Sequence, residues 1–290
     1  MSINADSYQN SSDMALTITQ ALQHATALGL DRLDAQMLLL HTLGRAVDDR
    51  AWIVAHDTDL LAAADLHTYR TLCQRRAATE PLAYLVGCKE FFGLQLQVDA
   101  RVLVPRPDTE TLVEWALQTI SGLQAPSVLD LGTGSGAIAL AIAHTRRDAK
   151  VTAVDFSTDA LAVAQANAQR LQLPVAFAQG SWLSGHTGCH HLIASNPPYI
   201  AAHDPHLAAL THEPLQALTA GTDGLDDIRT IVAQAPAHLH PGGWLLLEHG
   251  YDQAAAVRGL LEKQGFANVQ SRTDLAGIER CSGGQWLAVK

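Results

Sequence analysis

Asn196-Pro197-Pro198-Tyr199 follows directly on the apolar run His191 to Ser195. The carboxyl end of such a strand is where open α/β sheets keep their binding groups. Two prolines fix the turn and remove two N–H donors, so the backbone there offers carbonyl acceptors. Acceptors suit an NH2 nucleophile whose lone pair is delocalised into an amide or a nucleobase. The side-chain oxygen of Asn196 and the carbonyl of Pro197 can take its two N–H groups and aim the nitrogen, with Tyr199 packing on the planar group. The same acceptors stabilise positive charge developing on that nitrogen. Methyl transfer from a sulfonium needs no strong base before attack, because the sulfonium leaves readily and the proton becomes acidic once nitrogen is alkylated. An uncharged motif is enough for that chemistry.

A second cluster lies upstream. The apolar run Ser127 to Leu131 leads into Gly132-Thr133-Gly134-Ser135-Gly136, and a helix is expected from Ala137 to about His144. Glycines allow a tight turn and close approach of a ligand, and the free N–H groups of a helix start favour a carboxylate or phosphate. Gly132, Gly134 and Ala137 also satisfy the dinucleotide pattern, so the glycines alone leave an NAD enzyme open. Asp155 ends the next strand, where a carboxylate can accept from both ribose hydroxyls of either NAD or S-adenosylmethionine. Asp130, just before the glycines, is expected to organise the loop. Joined to the Asn-Pro-Pro-Tyr turn, the set reads as an S-adenosylmethionine-dependent N-methyltransferase.

These groups need a scaffold. From Met14 to about Arg76 apolar residues recur at helical spacing, with Thr17 and Asp31 as helix starts and Gly29 and Gly44 as stops. Tyr84 to Gly87 and Phe91 to Val98 read as a hairpin. After a helix from about Asp108 to Ser121, short apolar runs alternate with helical segments: Ser127 to Leu131, Lys150 to Asp155, Val175 to Ala178, His191 to Ser195, Trp244 to His249, then Val269 and Trp286 to Val289. Alternation of this kind predicts a Rossmann-like α/β domain, a mainly parallel sheet flanked by helices.

The balance of the 290 residues narrows the partners. A formal charge of −10 argues against holding nucleic acid by broad phosphate neutralisation. Cys73, Cys88, Cys189 and Cys281 lie far apart, which suggests neither disulfides nor a zinc ribbon. His186, Cys189, His190 and His191 match no standard zinc spacing, and no metal is expected. The polar start MSINADSYQNSSDM is unlike a signal peptide and no run reaches membrane-span length, so a cytoplasmic protein is expected.

Several segments together resemble the HemK/PrmC family of release-factor glutamine N5-methyltransferases. They are Glu80-Pro81-Leu82-Ala83-Tyr84, Phe91-Phe92-Gly93-Leu94, Val104-Pro105-Arg106-Pro107-Asp108-Thr109-Glu110, Asp130 to Gly136 and Asn196 to Tyr199, continuing through Glu213-Pro214, Asp223-Gly224-Leu225, Glu248-His249-Gly250-Tyr251 and Asp274-Leu275-Ala276-Gly277. The resemblance implies a helical substrate-recognition domain over residues 1–85, a β-hairpin connector over 86–105 and a methyltransferase domain over 106–290. It implies S-adenosylmethionine as cofactor, lined by Gly132, Thr133, Gly134, Ser135, Gly136 and Asp155, with Trp182 at the adenine. It places the glutamine of a release factor's Gly-Gly-Gln loop on Asn196, Pro197, Pro198 and Tyr199, with Asn196 shared between glutamine and cofactor. Ser181 stands where relatives commonly have Asp. Arg106 and Glu110 are expected at the pocket or paired with each other. The main rival is methylation of an exocyclic amine of a nucleobase, which calls for a basic groove or a target-recognition domain.

Overall fold

Thr17 and Asp31 open helices as their side chains dictate. Thr17 Oγ1 accepts from the Gln20 N–H at 3.2 Å while Gln20 Oε1 accepts from the Thr17 N–H at 2.9 Å, and Asp31 accepts from Leu33 N at 2.7 Å. The computed structural model describes residues 15–287, and its chain divides into two units after Gly87.

The first unit is helical: α1 Ile18–Ala27, α2 Arg32–Thr42, α3 Arg50–Ala55, α4 Ala63–Ala77 and α5 Leu82–Val86. Ala35, Leu38, Leu39 and Leu40 of α2 are buried, and the buried Tyr69 of α4 donates to the Ala35 carbonyl at 3.2 Å. Arg76 of α4 pairs with Asp34 of α2 at 2.7 Å. Tyr84 to Val86, expected to open the hairpin, are instead the helix α5. Pro81 presets the helix entry, and Gly87, at φ 74°, ends it in the left-handed conformation.

The hairpin itself, β1 Cys88–Phe91 and β2 Leu94–Gln97, belongs with the second unit. Its turn at Phe92 and Gly93 has positive φ at both residues, the hand that matches strand twist. The buried Asn167 fastens its end: Asn167 accepts from the Gln97 N–H at 2.7 Å and donates to the Gln97 carbonyl at 2.9 Å.

The rest of this unit is a seven-stranded sheet of β3 Ser127–Leu131, β4 Lys150–Asp155, β5 Val175–Gln179, β6 His190–Ser195, β7 Leu239–Glu248, β8 Ala267–Thr273 and β9 Glu279–Gln285. Strand order is β5-β4-β3-β6-β7-β9-β8, parallel from β5 to β7, with β9 antiparallel between β7 and β8. Helices α6 Thr109–Thr119, α7 Ala137–Thr145, α8 Thr158–Leu171, α9 Asp226–Gln234 and α10 Ala254–Gln264 cover it. Alternate residues of the strands feed two cores. Val128, Val151, Leu192 and Leu246 pack with Trp115 and α7, whereas Leu129, Val154, Ile193 and Leu247 pack with Ile228, Ile231, Val257 and Leu261.

The last strand lies earlier than Trp286 to Val289, and residues 288 and 289 of that expectation fall outside the described residues. Its sequence, ERCSGGQ, shows no apolar alternation because the bulk comes from its neighbours. A Cβ on Gly283 would stand 2.5 Å from Leu246 Cδ2 and 3.0 Å from the Trp115 ring, and one on Gly284 would stand 2.8 Å from Phe266 Cβ. Among the described residues no helix is long and apolar enough to cross a membrane.

Sequential strands step to opposite sides of β3, so the carboxyl ends of β3, β4 and β6 open a crevice at the reversal of strand order. Leu131 pairs with Val154 on one side and Ser195 on the other, which brings both predicted motifs to the same edge.

Candidate active site

The glycine loop is built by its neighbours. Gly132 N and Thr133 N both donate to the Val154 carbonyl, at 2.8 and 3.0 Å, which ties the turn to β4. Asp130, wholly buried, accepts from Thr133 Oγ1 at 2.6 Å and from Ala139 N at 3.2 Å through one oxygen, while Oδ1 has no hydrogen-bond partner. Burial pushes its pKa up to about 7, and its bonds organise the loop. Asn167 reaches the loop too, donating to the Ser135 carbonyl at 3.0 Å.

Asp155 faces the loop from β4. Its Oδ2 accepts from Gly134 N and its Oδ1 from Ser157 N, both at 2.9 Å, and burial raises its pKa against those bonds. Each oxygen keeps a further lone pair, which is what two vicinal hydroxyls require.

On the β6 side, Ser195 Oγ donates to the Leu131 carbonyl at 2.7 Å and clamps the turn to the start of the glycine loop. Asn196 Nδ2 donates to Thr109 Oγ1 at 3.2 Å, which leaves Oδ1 as the acceptor for a donor in the cavity. The Tyr199 phenol donates to Glu248 Oε1 at 3.4 Å, and the Tyr199 carbonyl accepts from Gln253 Nε2 at 3.0 Å. Beyond the turn, Ile200 pairs with Leu218 and Ala220, closing residues 201–217 into a loop over the site.

Between the two motifs lies a cavity of about 350 Å3, within the range of small-molecule sites. Gly132, Thr133, Gly134, Ser135, Asp155, Trp182, Asn196 and Pro198 line it, together with Arg106, Thr109, Phe156, Ser181, Pro214 and Asp227. Gly136, Pro197 and Tyr199 are absent from its wall: Gly136 caps α7, and the Tyr199 phenol turns to Glu248. The Trp182 indole lies against Gly132 and donates to Asp227 Oδ1 at 3.0 Å. Arg106 pairs with the buried Glu213 rather than with Glu110, which accepts from Phe92 N at 2.9 Å. Glu213 also accepts from Val104 N at 3.1 Å and so pins the Pro105 to Pro107 segment beside the cavity.

A family profile described as "Methyltransferase small domain" matches residues 108–271, and one described as "PrmC N-terminal domain" matches residues 16–87. The release factor glutamine methyltransferase of Burkholderia pseudomallei is 53% identical over 266 residues, covering 88% of this chain and 92% of that protein. The protein of the same name from Bordetella pertussis is 52% identical over 260 residues, covering 88% of this chain and 95% of that protein. This chain belongs to the release factor glutamine methyltransferase family. A methyltransferase of Pyrococcus furiosus, 19% identical, covers 74% of this chain and all of that chain with a TM-score of 0.54, a likeness in fold.

In this family member, three groups that shape the site stand outside the two motifs. Gln253 bridges the turn to its surroundings: Nε2 donates to the carbonyls of Tyr199 and Asp223, and Oε1 accepts from Gly250 N. Loop polar residues carry no spacing signal, which is why it is silent in the sequence. Asn167 had one, since with Leu161 and Ala164 it falls on the apolar stripe of α8. Asp227 lines the cavity and accepts from the Trp182 indole.

Gly224 explains how closely the turn is packed. It sits at φ 73°, and a Cβ there would stand 2.1 Å from the Tyr199 carbonyl oxygen. Gly224→Ala is expected to displace the turn and lower Tm by about 4–8 °C, from ~2 kcal/mol of strain. Calorimetric affinity for the cofactor should stay near the parent value, and a normal Tm with full transfer would refute the packing argument.

The histidines stand apart from the cavity. His186 Nε2 meets His190 Nε2 at 2.8 Å at the amino end of β6, the opposite end of the sheet from the crevice. Among the described residues no group of three or more His, Cys, Asp or Glu is placed to hold a metal. His206 pairs with Asp204 on the surface.

Proposed function

We propose that this chain transfers a methyl group from S-adenosylmethionine to the side-chain amide nitrogen, N5, of the glutamine in the Gly-Gly-Gln motif of peptide chain release factors. The observation that carries the reading is the Asn196 amide, held by Thr109 at the wall of a cavity whose far side is Asp155 and the glycine loop. Membership of the family supplies the acceptor.

Gly132 to Ser135 and Asp155 fit the cofactor: Asp155 has lone pairs free for two ribose hydroxyls, and the loop lets a ligand approach the backbone. Trp182 is assigned to the adenine, with Asp227 beside it, and Gly136 supports the loop from behind. When bound, S-adenosylmethionine supplies an electrophilic methyl group on a sulfonium. The remaining work is orientation. Asn196 Oδ1 and the Pro197 carbonyl accept the two N–H groups of the glutamine amide, so that its nitrogen faces the sulfonium. Pro198 walls the cofactor side and Tyr199 lies on the substrate side. As nitrogen gains positive charge, these fixed acceptors stabilise it without reorganising. The helical unit is assigned to gripping the release factor, and the cytoplasm, where translation ends, to the reaction.

Purified protein with labelled S-adenosylmethionine is expected to label an unmethylated release factor and leave DNA and RNA blank. Label on nucleic acid with none on the release factor would replace the glutamine reading by the nucleobase one.

A further inference from the structure

The segment after β5 is gripped by α9 through Asp227 and Gln234, which lie two helical turns apart and so on one face. Asp227 Oδ1 accepts from the Trp182 indole at 3.0 Å, Gln234 Oε1 accepts from Leu183 N at 3.1 Å, and Gln234 Nε2 donates to Ser184 Oγ at 3.3 Å. The grip holds Trp182 at φ 53°, a left-handed backbone that a bulky residue keeps only where its surroundings enforce it. Its ring uses space left by a glycine, since a Cβ on Gly132 would stand 3.2 Å from Trp182 Cζ3. The indole is thereby fixed on the cavity wall with a carboxylate beside it.

Among the described residues, Asp155 and Asp227 are the carboxylates that line the cavity, and Asp155 is the one assigned to the ribose. Asp227 makes one hydrogen bond, from the indole to Oδ1, so Oδ2 is an acceptor still open to a donor. Phe156 and Trp182 give the same cavity two aromatic rings, the kind of surface on which a planar base stacks. A stacked adenine has its exocyclic amine left to satisfy, and that group donates. The Ser181 hydroxyl, also on the wall, can donate as well as accept and does not tell an amine from an oxygen. A carboxylate only accepts.

We infer that Asp227 selects the base of the cofactor: Oδ1 holds the Trp182 indole in place and Oδ2 accepts from the exocyclic amine of adenine. This rests on the S-adenosylmethionine reading and adds to it a specificity residue on α9, outside both motifs. A carboxylate that did no more than anchor Trp182 would behave differently on substitution. Trp182→Phe removes the indole N–H but leaves the carboxylate, so a preference for the amine survives it. Asp227→Asn keeps one oxygen for the indole N–H and turns its NH2 towards the purine, where donor meets donor. An anchor alone would make the two variants alike.

The test is calorimetric titration of the parent, Trp182→Phe and Asp227→Asn with two ligands: S-adenosylhomocysteine and its 6-deamino analogue, which carries purine in place of adenine. Within one variant both ligands meet the same protein, so the ratio of their Kd values is free of any general loss from a weakened fold. The parent is expected to prefer the adenine compound by ~10-fold, the yield of one hydrogen bond to a charged group. Trp182→Phe should bind both ligands more weakly and keep that ratio, whereas Asp227→Asn should bring it to about one or below. No preference in the parent, a preference unchanged in Asp227→Asn, or an equal loss of it in both variants would overturn the inference while leaving the cofactor reading in place. A parent that binds neither ligand would remove the cofactor reading and the inference with it.

Discussion

Asn196→Ala is expected to reduce methyl transfer by ~10²-fold or more while leaving the cofactor's Kd nearly unchanged. Asn196 lines the cavity with its amide bonded to Thr109, and on the proposed reading its removal takes away the acceptor that aims the substrate nitrogen and steadies its developing charge. Neither role would matter to a cofactor held, as proposed, by the glycine loop and Asp155. Single-turnover rates and calorimetric titration of the same preparation separate the two effects. Near-normal turnover would remove Asn196 from the chemistry, and a large loss of cofactor affinity would move it to cofactor binding.

The second large effect belongs to Asp155→Ala. Two charge-assisted hydrogen bonds at ~1.5 kcal/mol each amount to about a hundredfold in Kd, and the substitution also frees Gly134 N and Ser157 N from their partner. Cofactor affinity should therefore weaken by ~10²-fold, with the rate at saturating cofactor reduced far less. Unchanged affinity in the calorimeter would refute the ribose assignment.

Both motifs were legible in the sequence because each is local. A strand, a glycine turn and a helix start are adjacent in the chain, and so are a strand and its Asn-Pro-Pro-Tyr turn; the parallel sheet then joins them at neighbouring carboxyl ends. Helix caps at Thr17 and Asp31 were readable for the same reason. What escaped depends on contacts distant in sequence. The strand Glu279–Gln285 is hidden because Leu246, Trp115 and Phe266 supply the bulk that its glycines lack. Tyr84 to Val86 look like a strand by composition, and only the flanking Pro81 and Gly87 make them helical. Arg106 finds Glu213 rather than Glu110 because the loop over the site brings Glu213 back to the Pro105 to Pro107 segment.

On the proposed reading, one nitrogen of one glutamine receives the methyl group. The most direct measurement is peptide mass analysis of a release factor after incubation with the protein and labelled S-adenosylmethionine, beside a copy whose Gly-Gly-Gln glutamine is replaced. A single added methyl is expected on that glutamine's side-chain amide and none on the replaced copy. Equal labelling of both copies, or a methyl elsewhere in the release factor, would contradict it.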